Sequence, residues 1–353
     1  MLTGAQGGRS MKNRYVTLKD VAKEAETTAA TVSYVLSGNT NRYISPDMRE
    51  RVMAAVAATG YIKSMPASSL HGKEKGIIAV LVPQFNNQYF TKLMLSVEAE
   101  VEQQGYLLSI SNTFDDPERE RDIIIKMAQQ RVDGFILTPT TGGASNTETI
   151  RKVGIPLVLL DRPLQGASGN FMEVLPDNYG SGYVLGEHLG KMGHTRVAYL
   201  GWDSGLEILD DRRRGFWDGI AASTGQRQPE LNLDSDFSVS GGFKLAEHVY
   251  TQYPDVTAWC LAFNVPGKGA VDFLSSRGIQ PGRELSVVMI GSPDWATTGA
   301  NNYTVVDISA DAQGRTAAKK LLQLLSDPNV IPSKTITNCQ IHLGSSVQDI
   351  SNS

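Results

Sequence analysis

From Gly76 onward, short apolar runs alternate with helical stretches, and this alternation constrains the fold more than any other feature. The runs are GIIAVLVP (76–83), YLLSIS (106–111), GFILTPT (134–140), IPLVLLD (155–161), RVAYLG (196–201), AWCLAF (258–263) and LSVVMIG (285–291), with a further strand at about 171–176. Between them lie stretches of helical spacing at about 90–104, 117–130, 178–192, 211–223, 241–253, 267–277 and 311–326. Strands that are apolar on both faces belong to buried parallel sheets covered by helices. About 275 residues is more than one such sheet holds, so the pattern predicts a two-lobed α/β body.

Ahead of this body the grain is different. Leu18, Val21, Ala22 and Ala25 form one apolar helical face, with Thr17 as N-cap and Asp20 in the first turn. Glu26-Thr27 is a tight turn, and Thr28 caps a second short helix, AATVSYVL (29–36), with Val32, Val35 and Leu36 inward. Ser45-Pro46 starts a third helix over about 46–58 that Gly60 stops. Three short, tightly turned helices fit a small all-α helix-turn-helix DNA reader, and equally a plain three-helix bundle. The outward residues of the second helix are Ala29, Ala30, Thr31, Ser33 and Tyr34, and the hydroxyls of Thr28, Thr31 and Ser33 suit phosphates. Residues 63–75 read as a Ser-rich linker in which Ser64 can cap a turn of helix through Leu70, and residues 1–14 as a disordered extension.

Charge supports the division. The whole chain carries 33 Lys+Arg against 37 Asp+Glu. Residues 1–75 hold 11 of those cations and 6 of the acids, so a basic head precedes an acidic body. No apolar run reaches the ~18–20 residues of a membrane span, and the N-terminus has no apolar signal core. Cys260 and Cys339 are the only cysteines, in no CxxC pair, so a reducing cytoplasm is the expected setting.

Enzymatic readings lack residues. Gly180, Gly182 and Gly186 follow a strand and open a helix, but their spacing is GxGxxxG, and tight packing of that helix on a sheet explains them better than a nicotinamide cofactor. There is no phosphate-binding GxxxxGK[ST] loop, GxSxG elbow or HExxH, so neither cofactor nor metal is expected. Ligands of parallel sheets bind beyond the carboxyl ends of strands. Asp161-Arg162 and the loop from Gln84 to Phe90 lie there; Arg212 opens a second-lobe helix with a guanidinium fork suited to carboxylates, phosphates or sugar hydroxyls, although on its own the Arg212-Arg213-Arg214 triplet reads more readily as a solvated helix face with salt bridges.

In order, VTLKDVAKEA…TTAATVSYVLSG (16–38), ISPDMRERVMAAVAATGYI (44–62), DDPERERD (115–122), QQRVDGFIL (129–137), IPLVLLDRPL (155–164), PDNYGSGYVLGEHLGKMGHTRVAYLG (176–201), DRRRGF (211–216) and LSVVMIG (285–291) resemble the lactose repressor/galactose repressor family over some 330 residues. The resemblance implies a helix-turn-helix domain at 15–62, a hinge at 63–75, and a periplasmic-binding-protein-like body at 76–340. Lobe 1 would comprise about 76–175 plus 306–333, lobe 2 about 176–305 plus 334–345, and residues 346–353 a tail without leucine heptads. It further implies a cytoplasmic bacterial homodimer, nucleoid-associated when bound, that regulates transcription on double-stranded operator DNA under a small sugar or phosphosugar effector. A solute-binding protein shares the body but has no use for residues 16–70.

Carried over by position, the DNA contacts fall on Thr17, Thr28, Ala29, Ala30, Thr31, Ser33 and Tyr34, with Ser64, Ala67 and Leu70 in the hinge, where Leu70 would wedge between bases. Ala29 and Ala30 offer no hydrogen bond, and Tyr34 stands where Arg is common, so direct base readout should be thin. Glu26-Thr27 replaces a usual Gly-Val, which predicts backbone strain at Glu26. The effector positions become Phe85, Asn87, Phe90, Asp161, Arg162, Arg212, Phe237 as a stacking platform, Asn264 and Asp294. Asn264 and Gly291 replace two family carboxylates, with Asp294 as a substitute, which predicts an electropositive pocket.

Overall fold

A computed structural model describes residues 16–37, 43–62, 75–164, 171–203, 205–226, 230–298, 302–327 and 329–351. The chain falls into two units that divide after residue 73. The hinge positions Ser64, Ala67 and Leu70, like residues 1–14, lie outside the described residues.

The first unit has three helices, α1 (Leu18–Glu24), α2 (Ala29–Ser37) and α3 (Pro46–Thr59). Val21, Ala22, Ala25, Val32, Val35, Val52, Ala55 and Tyr61 form its core, the apolar face expected from spacing. At α1 the Asp20 carboxylate accepts from both the backbone N–H (2.8 Å) and the hydroxyl (2.6 Å) of Thr17. Ser45 caps α3 through the Met48 amide at 3.3 Å, and Gly60 ends it at φ +65°. Glu26, in the α1–α2 turn, has φ +47°, the strain expected from a side chain where glycine fits. Arg51 holds this turn by donating to the Ala25 carbonyl at 2.7 Å and pairing with Glu26 at 3.6 Å. Relief of the left-handed strain outweighs the loss of that exposed pair, so Glu26→Gly should stabilise the head by about 0.5 kcal/mol. Slower amide hydrogen exchange in α1 and α2 would register the gain; faster exchange would refute it.

The second unit contains β1 (Ile77–Val82), α4 (Gln88–Glu102), β2 (Leu107–Asn112), α5 (Pro117–Gln129), β3 (Gly134–Leu137), α6 (Ala144–Val153), β4 (Leu157–Leu160), β5 (Met172–Pro176), α7 (Asn178–Lys191), β6 (Val197–Trp202), α8 (Glu207–Thr224), β7 (Leu231–Ser235), α9 (Val239–Gln252), β8 (Ala258–Leu261), α10 (Asn264–Ser276), β9 (Ser286–Ile290), α11 (Asp294–Thr297), β10 (Thr304–Asp307), α12 (Ala310–Ser326), β11 (Lys334–Thr337) and β12 (Gln340–His342). They build two six-stranded sheets, ordered β11-β5-β4-β3-β1-β2 and β12-β10-β9-β8-β6-β7. Every pairing is parallel except β10 with β12. Most of the apolar runs form central strands and are buried, as in Ile78–Val82 and Val287–Ile290, but YLLSIS forms the edge strand β2, with Leu107 and Ile110 exposed, because it has a partner on one side only.

The chain passes between the sheets three times: between β5 and α7, between β10 and α12, and between β11 and β12. The last two passages differ from the sequence expectation. β10 stays in the second sheet to Asp307, and residues 334–337, expected in lobe 2, pair in parallel with β5 of lobe 1. Edge strands this short carry no period from which a sheet can be assigned.

The glycines of α7 also differ from expectation: they face a helix rather than the sheet. A Cβ on Gly182 would stand 2.0 Å from the Arg212 carbonyl oxygen, and one on Gly186 1.9 Å from that of Phe216. Gly215 and Gly219 of α8 answer from the other side, where an added Cβ would stand 2.1 Å from the carbonyl oxygens of Tyr179 and Tyr183 respectively. Backbone therefore meets backbone along the seam, which fixes where Arg212 begins its reach.

Residues 344–350 strap onto lobe 2. Ser346 is buried, its carbonyl accepts from the Val287 amide at 2.8 Å, and the Gln348 amide donates to Ser286 Oγ at 2.9 Å. His194 anchors the strap through Thr257 Oγ1 (2.9 Å) and the Gln348 carbonyl (3.1 Å). Burial holds the His194 imidazole below its ordinary value of 6.5, and burial plus Lys191 does the same to His188. With the folded value below the unfolded one, protonation favours the unfolded chain, so stability is lost as pH falls below about 6.5. Thermal melts from pH 7 to 5 should show Tm falling, with a shallower fall in His194→Gln; parallel falls would refute the assignment.

Candidate functional site

Two surfaces carry the predicted site residues, one on each unit. On the first, α2 is amphipathic: Val32 and Val35 point into the core, while Ala30 and Ser33 are exposed. Ala29, predicted to face outward, is half-buried and packs on the head core. Thr28 accepts from the Thr31 amide at 3.2 Å and its hydroxyl meets that of Thr31 at 2.9 Å, so both hydroxyls are already engaged at the helix start. Thr17 is exposed with its hydroxyl on Asp20. Across its nine residues α2 bears no cation, carboxylate or side-chain amide.

On the second unit, the residues just beyond the carboxyl ends of β1, β4, β6, β8, β9 and β10 converge on a cavity of about 200 Å³ between the two sheets. This is where an open parallel sheet offers room and unpaired backbone. Asn87, Phe90, Asp161, Arg162, Arg212, Phe237 and Asn264, all predicted, line it. Phe85 does not; it stands outside, 43% exposed. Nor does Asp294, which pairs across the mouth with Lys92 at 2.9 Å and with the Gln88 side chain, so the expected substitute carboxylate is spent joining the lobes.

Arg212 is buried and reaches the cavity from α8. It donates to Asn178 Oδ1 from Nε (3.1 Å) and Nη2 (2.7 Å), and to the Ala262 carbonyl from Nη1 (2.8 Å). Its guanidinium lies 4.9 Å from the centre of the Phe263 ring, an arrangement that suits a cation on an aromatic face. Trp202, Phe237 and Phe263 make an aromatic wall, with ring centres 4.6, 5.7 and 6.0 Å apart. From lobe 1, Arg162 pairs with Asp115 at 2.8 Å and lies 5.9 Å from the Trp202 ring.

Asp161 follows β4 at φ +68° and accepts from the Tyr89 hydroxyl at 2.7 Å. Burial pushes its carboxyl up, against the pull of Arg162 and of the Tyr89 hydroxyl. Asp307 and Asp311 also line the cavity. The cavity is therefore not the electropositive pocket expected from the two replaced carboxylates: it has an acceptor side at Asp161 and a donor side at Arg212. Asn264 donates to Asn87 Oδ1 at 2.8 Å, a direct bond between the lobes.

Sequence reading missed Tyr89, Asn178, Trp202 and Phe263. The rule that pointed to Asp161 also covers Trp202 and Phe263, since each lies at a strand's carboxyl end. Asn178 was hidden because its role, holding Arg212, becomes visible only when α7 and α8 are packed.

Two family models match the chain: bacterial regulatory proteins of the lacI family over residues 17–64, and the periplasmic binding protein domain over 78–329. The chain belongs to the LacI family of bacterial regulatory proteins. It is thus a DNA-binding transcriptional regulator with an effector domain, not an enzyme. It is 26% identical over 311 residues to the HTH-type transcriptional repressor PurR of Haemophilus influenzae (strain PittEE), covering 88% of this chain and 91% of that one. It is 29% identical over 272 residues to the ribose operon repressor of Halalkalibacterium halodurans, covering 77% and 79%. Among solved structures, the Lac repressor dimer bound to operator and an anti-inducer aligns with TM-score 0.78 at 21% identity, over 95% of this chain and 100% of that one. The cellobiose complex of the transcriptional regulator CelR aligns with TM-score 0.68 at 21% identity, over 94% and 99%. The head match sets aside the solute-binding alternative. Among the described residues no helix is long and apolar enough to cross a membrane.

Proposed function

We propose that this LacI-family protein is a cytoplasmic homodimeric repressor whose operator affinity is set by a small sugar-like effector held between the lobes. The observation that carries the effector half is the two-sided cavity. Asp161 accepts on the lobe 1 side, Arg212 donates on the lobe 2 side, and Trp202, Phe237 and Phe263 offer an apolar face. Adjacent hydroxyls on a ring both donate and accept, so a sugar uses both sides at once, and a phosphosugar adds an anion for Arg212. Asn87–Asn264 and Lys92–Asp294 join the lobes beside this cavity. The ligand thus biases lobe geometry by its differential contacts with the two arrangements.

In the DNA half, α2 enters the major groove, with Thr17, Thr28, Ala29, Ala30, Thr31, Ser33 and Tyr34 at or near its surface. Ser64, Ala67 and Leu70 supply the hinge contacts. Full-length protein titrated with neutral sugars and their phosphorylated forms, followed by intrinsic tryptophan fluorescence and thermal shift, tests the effector half. Saturable binding that Arg212→Met abolishes is the expected result. Binding that is unchanged in Arg212→Met would place the effector elsewhere.

A further inference from the structure

One proton and two acceptors meet at the wall of the effector cavity. The Tyr89 hydroxyl, at the start of α4, lies 2.7 Å from Asp161 Oδ1 and 3.0 Å from Gln313 Oε1 of α12. Gln313 is fully buried, and its amide cannot turn over. Its Nε2 donates to the Ile308 carbonyl at 2.6 Å, where Oε1 would meet a second acceptor. Both neighbours of the hydroxyl therefore compete for its single proton. While Tyr89 donates to the Asp161 carboxylate, Gln313 Oε1 faces an oxygen lone pair, a costly state for a buried acceptor. A proton on Asp161 removes the conflict. Asp161 then donates to the Tyr89 oxygen, Tyr89 to Gln313 and Gln313 to Ile308, so every donor in the row has an acceptor.

The surroundings favour that proton. Burial raises the Asp161 carboxyl, and burial with Asp161 beside it raises the Tyr89 phenol far enough to keep its own proton. The charged groups facing Asp161 are Arg162 beside it, Arg212 from α8 and Asp115 from the loop after β2, while Asp307 and Asp311 line the same cavity. The two arginines oppose the proton, and the carboxylates favour it. Arg162 is bound to Asp115 at 2.8 Å and stays 3.9 Å from Asp161 Oδ2, too far for a hydrogen bond.

We infer that the Tyr89 proton is a two-position switch: it is donated to Gln313 while the cavity is empty and Asp161 is the neutral acid, and it turns to Asp161 when an effector hydroxyl binds Oδ2. The second position rests on the effector half of the proposed function; the first does not. A hydroxyl bonds a carboxylate more strongly than a neutral acid, so a bound sugar favours the ionised form and the Asp161 proton leaves to solvent. Gln313 Oε1 then loses its donor. The same amide holds the Ile308 carbonyl, in the passage from β10 to α12 where Ser309 sits at φ +44°. Occupancy at Asp161 is thereby felt where the chain crosses between the lobes, through two discrete hydrogen-bond arrangements. Affinity for a neutral sugar should rise with pH as Asp161 titrates.

Infrared difference spectra of the full-length protein against Asp161→Asn test the empty state. Asparagine reproduces the neutral acid, with Nδ2–H in place of O–H, and far-UV circular dichroism checks the fold. At pH 7 a carboxylic-acid carbonyl band should be present and vanish in Asp161→Asn. In Gln313→Leu the competing acceptor is gone, Tyr89 serves Asp161 alone, and the proton affinity of Asp161 should fall about tenfold. Calorimetric titration with a panel of neutral pentoses and hexoses, in two buffers of different ionisation heat, should show release of up to about one proton per site. Absence of the acid band at pH 7, or a band that titrates identically in Gln313→Leu, would overturn the switch. Sugar binding without proton release would overturn its coupling to the effector. An acid band with no sugar bound by any of the panel would instead overturn the sugar-effector reading, so the two failures are distinct.

Discussion

Gly182→Ala/Gly186→Ala should destabilise lobe 2 by up to about 4 kcal/mol. Alanine is the better helix former by about 1 kcal/mol per site, so on propensity alone the change would stabilise. Packing decides the sign. Each new methyl would lie 2.0 and 1.9 Å from the carbonyl oxygens of Arg212 and Phe216, which are backbone atoms that cannot swing away. Helices α7 and α8 must separate by more than 1 Å, opening a seam lined by Leu185, Leu189, Phe216 and Ile220. Overpacking costs of about 1–3 kcal/mol per site then exceed the propensity gain. Urea unfolding should show the midpoint falling sharply, with Arg212 and hence ligand response disturbed even where the fold persists. An unchanged midpoint would mean that the helices are not in backbone contact.

Arg212→Met should cost about 2–4 kcal/mol. The side chain fills a similar path, so the loss is polar rather than a cavity. Two buried acceptors, Asn178 Oδ1 and the Ala262 carbonyl, lose their donors. Each unsatisfied buried group costs about 1–3 kcal/mol. The Ala262 carbonyl closes β8 and Asn178 opens α7, so the variant loosens two walls of the cavity at once. Chemical denaturation measures the cost. A loss below about 0.5 kcal/mol would show that water replaces the guanidinium and that Arg212 serves the ligand alone.

The central strands and long helices were legible because burial on both faces leaves continuous apolar runs such as IIAVLV, and the head because its caps and turns are short-range chemistry. Elements whose stability is tertiary were not. Helix α6, ASNTETIRKV, is mostly polar, with Ile150 as its single fully buried apolar side chain. Strands β10, β11 and β12 are three or four residues long, and their sheet membership is set by partners distant in sequence. In the cavity the same distinction holds. Asp161 and Arg162 were found from a strand end and Arg212 through the family resemblance; α8 starts at Glu207, so Arg212 lies in its second turn and not at the helix start expected from the sequence. Tyr89 was passed over within its loop because its hydroxyl matters only once Asp161 and Gln313, 72 and 224 residues away, are brought to it. Asp294 was assigned to the ligand because nothing local reveals that Lys92 and Gln88 occupy it. The strain at Glu26, in contrast, was readable, since the turn demands a left-handed residue whatever packs around it.

The most direct test of operator recognition by the head is selection of genomic fragments by the purified full-length chain, followed by gel shift of the retained fragments with the full chain and with residues 74–353 alone. A discrete set of fragments with two-fold symmetric sites, bound by the full chain and not by the body, is the predicted result. Retention of fragments no better than random duplex, or binding that survives removal of residues 1–73, would contradict it.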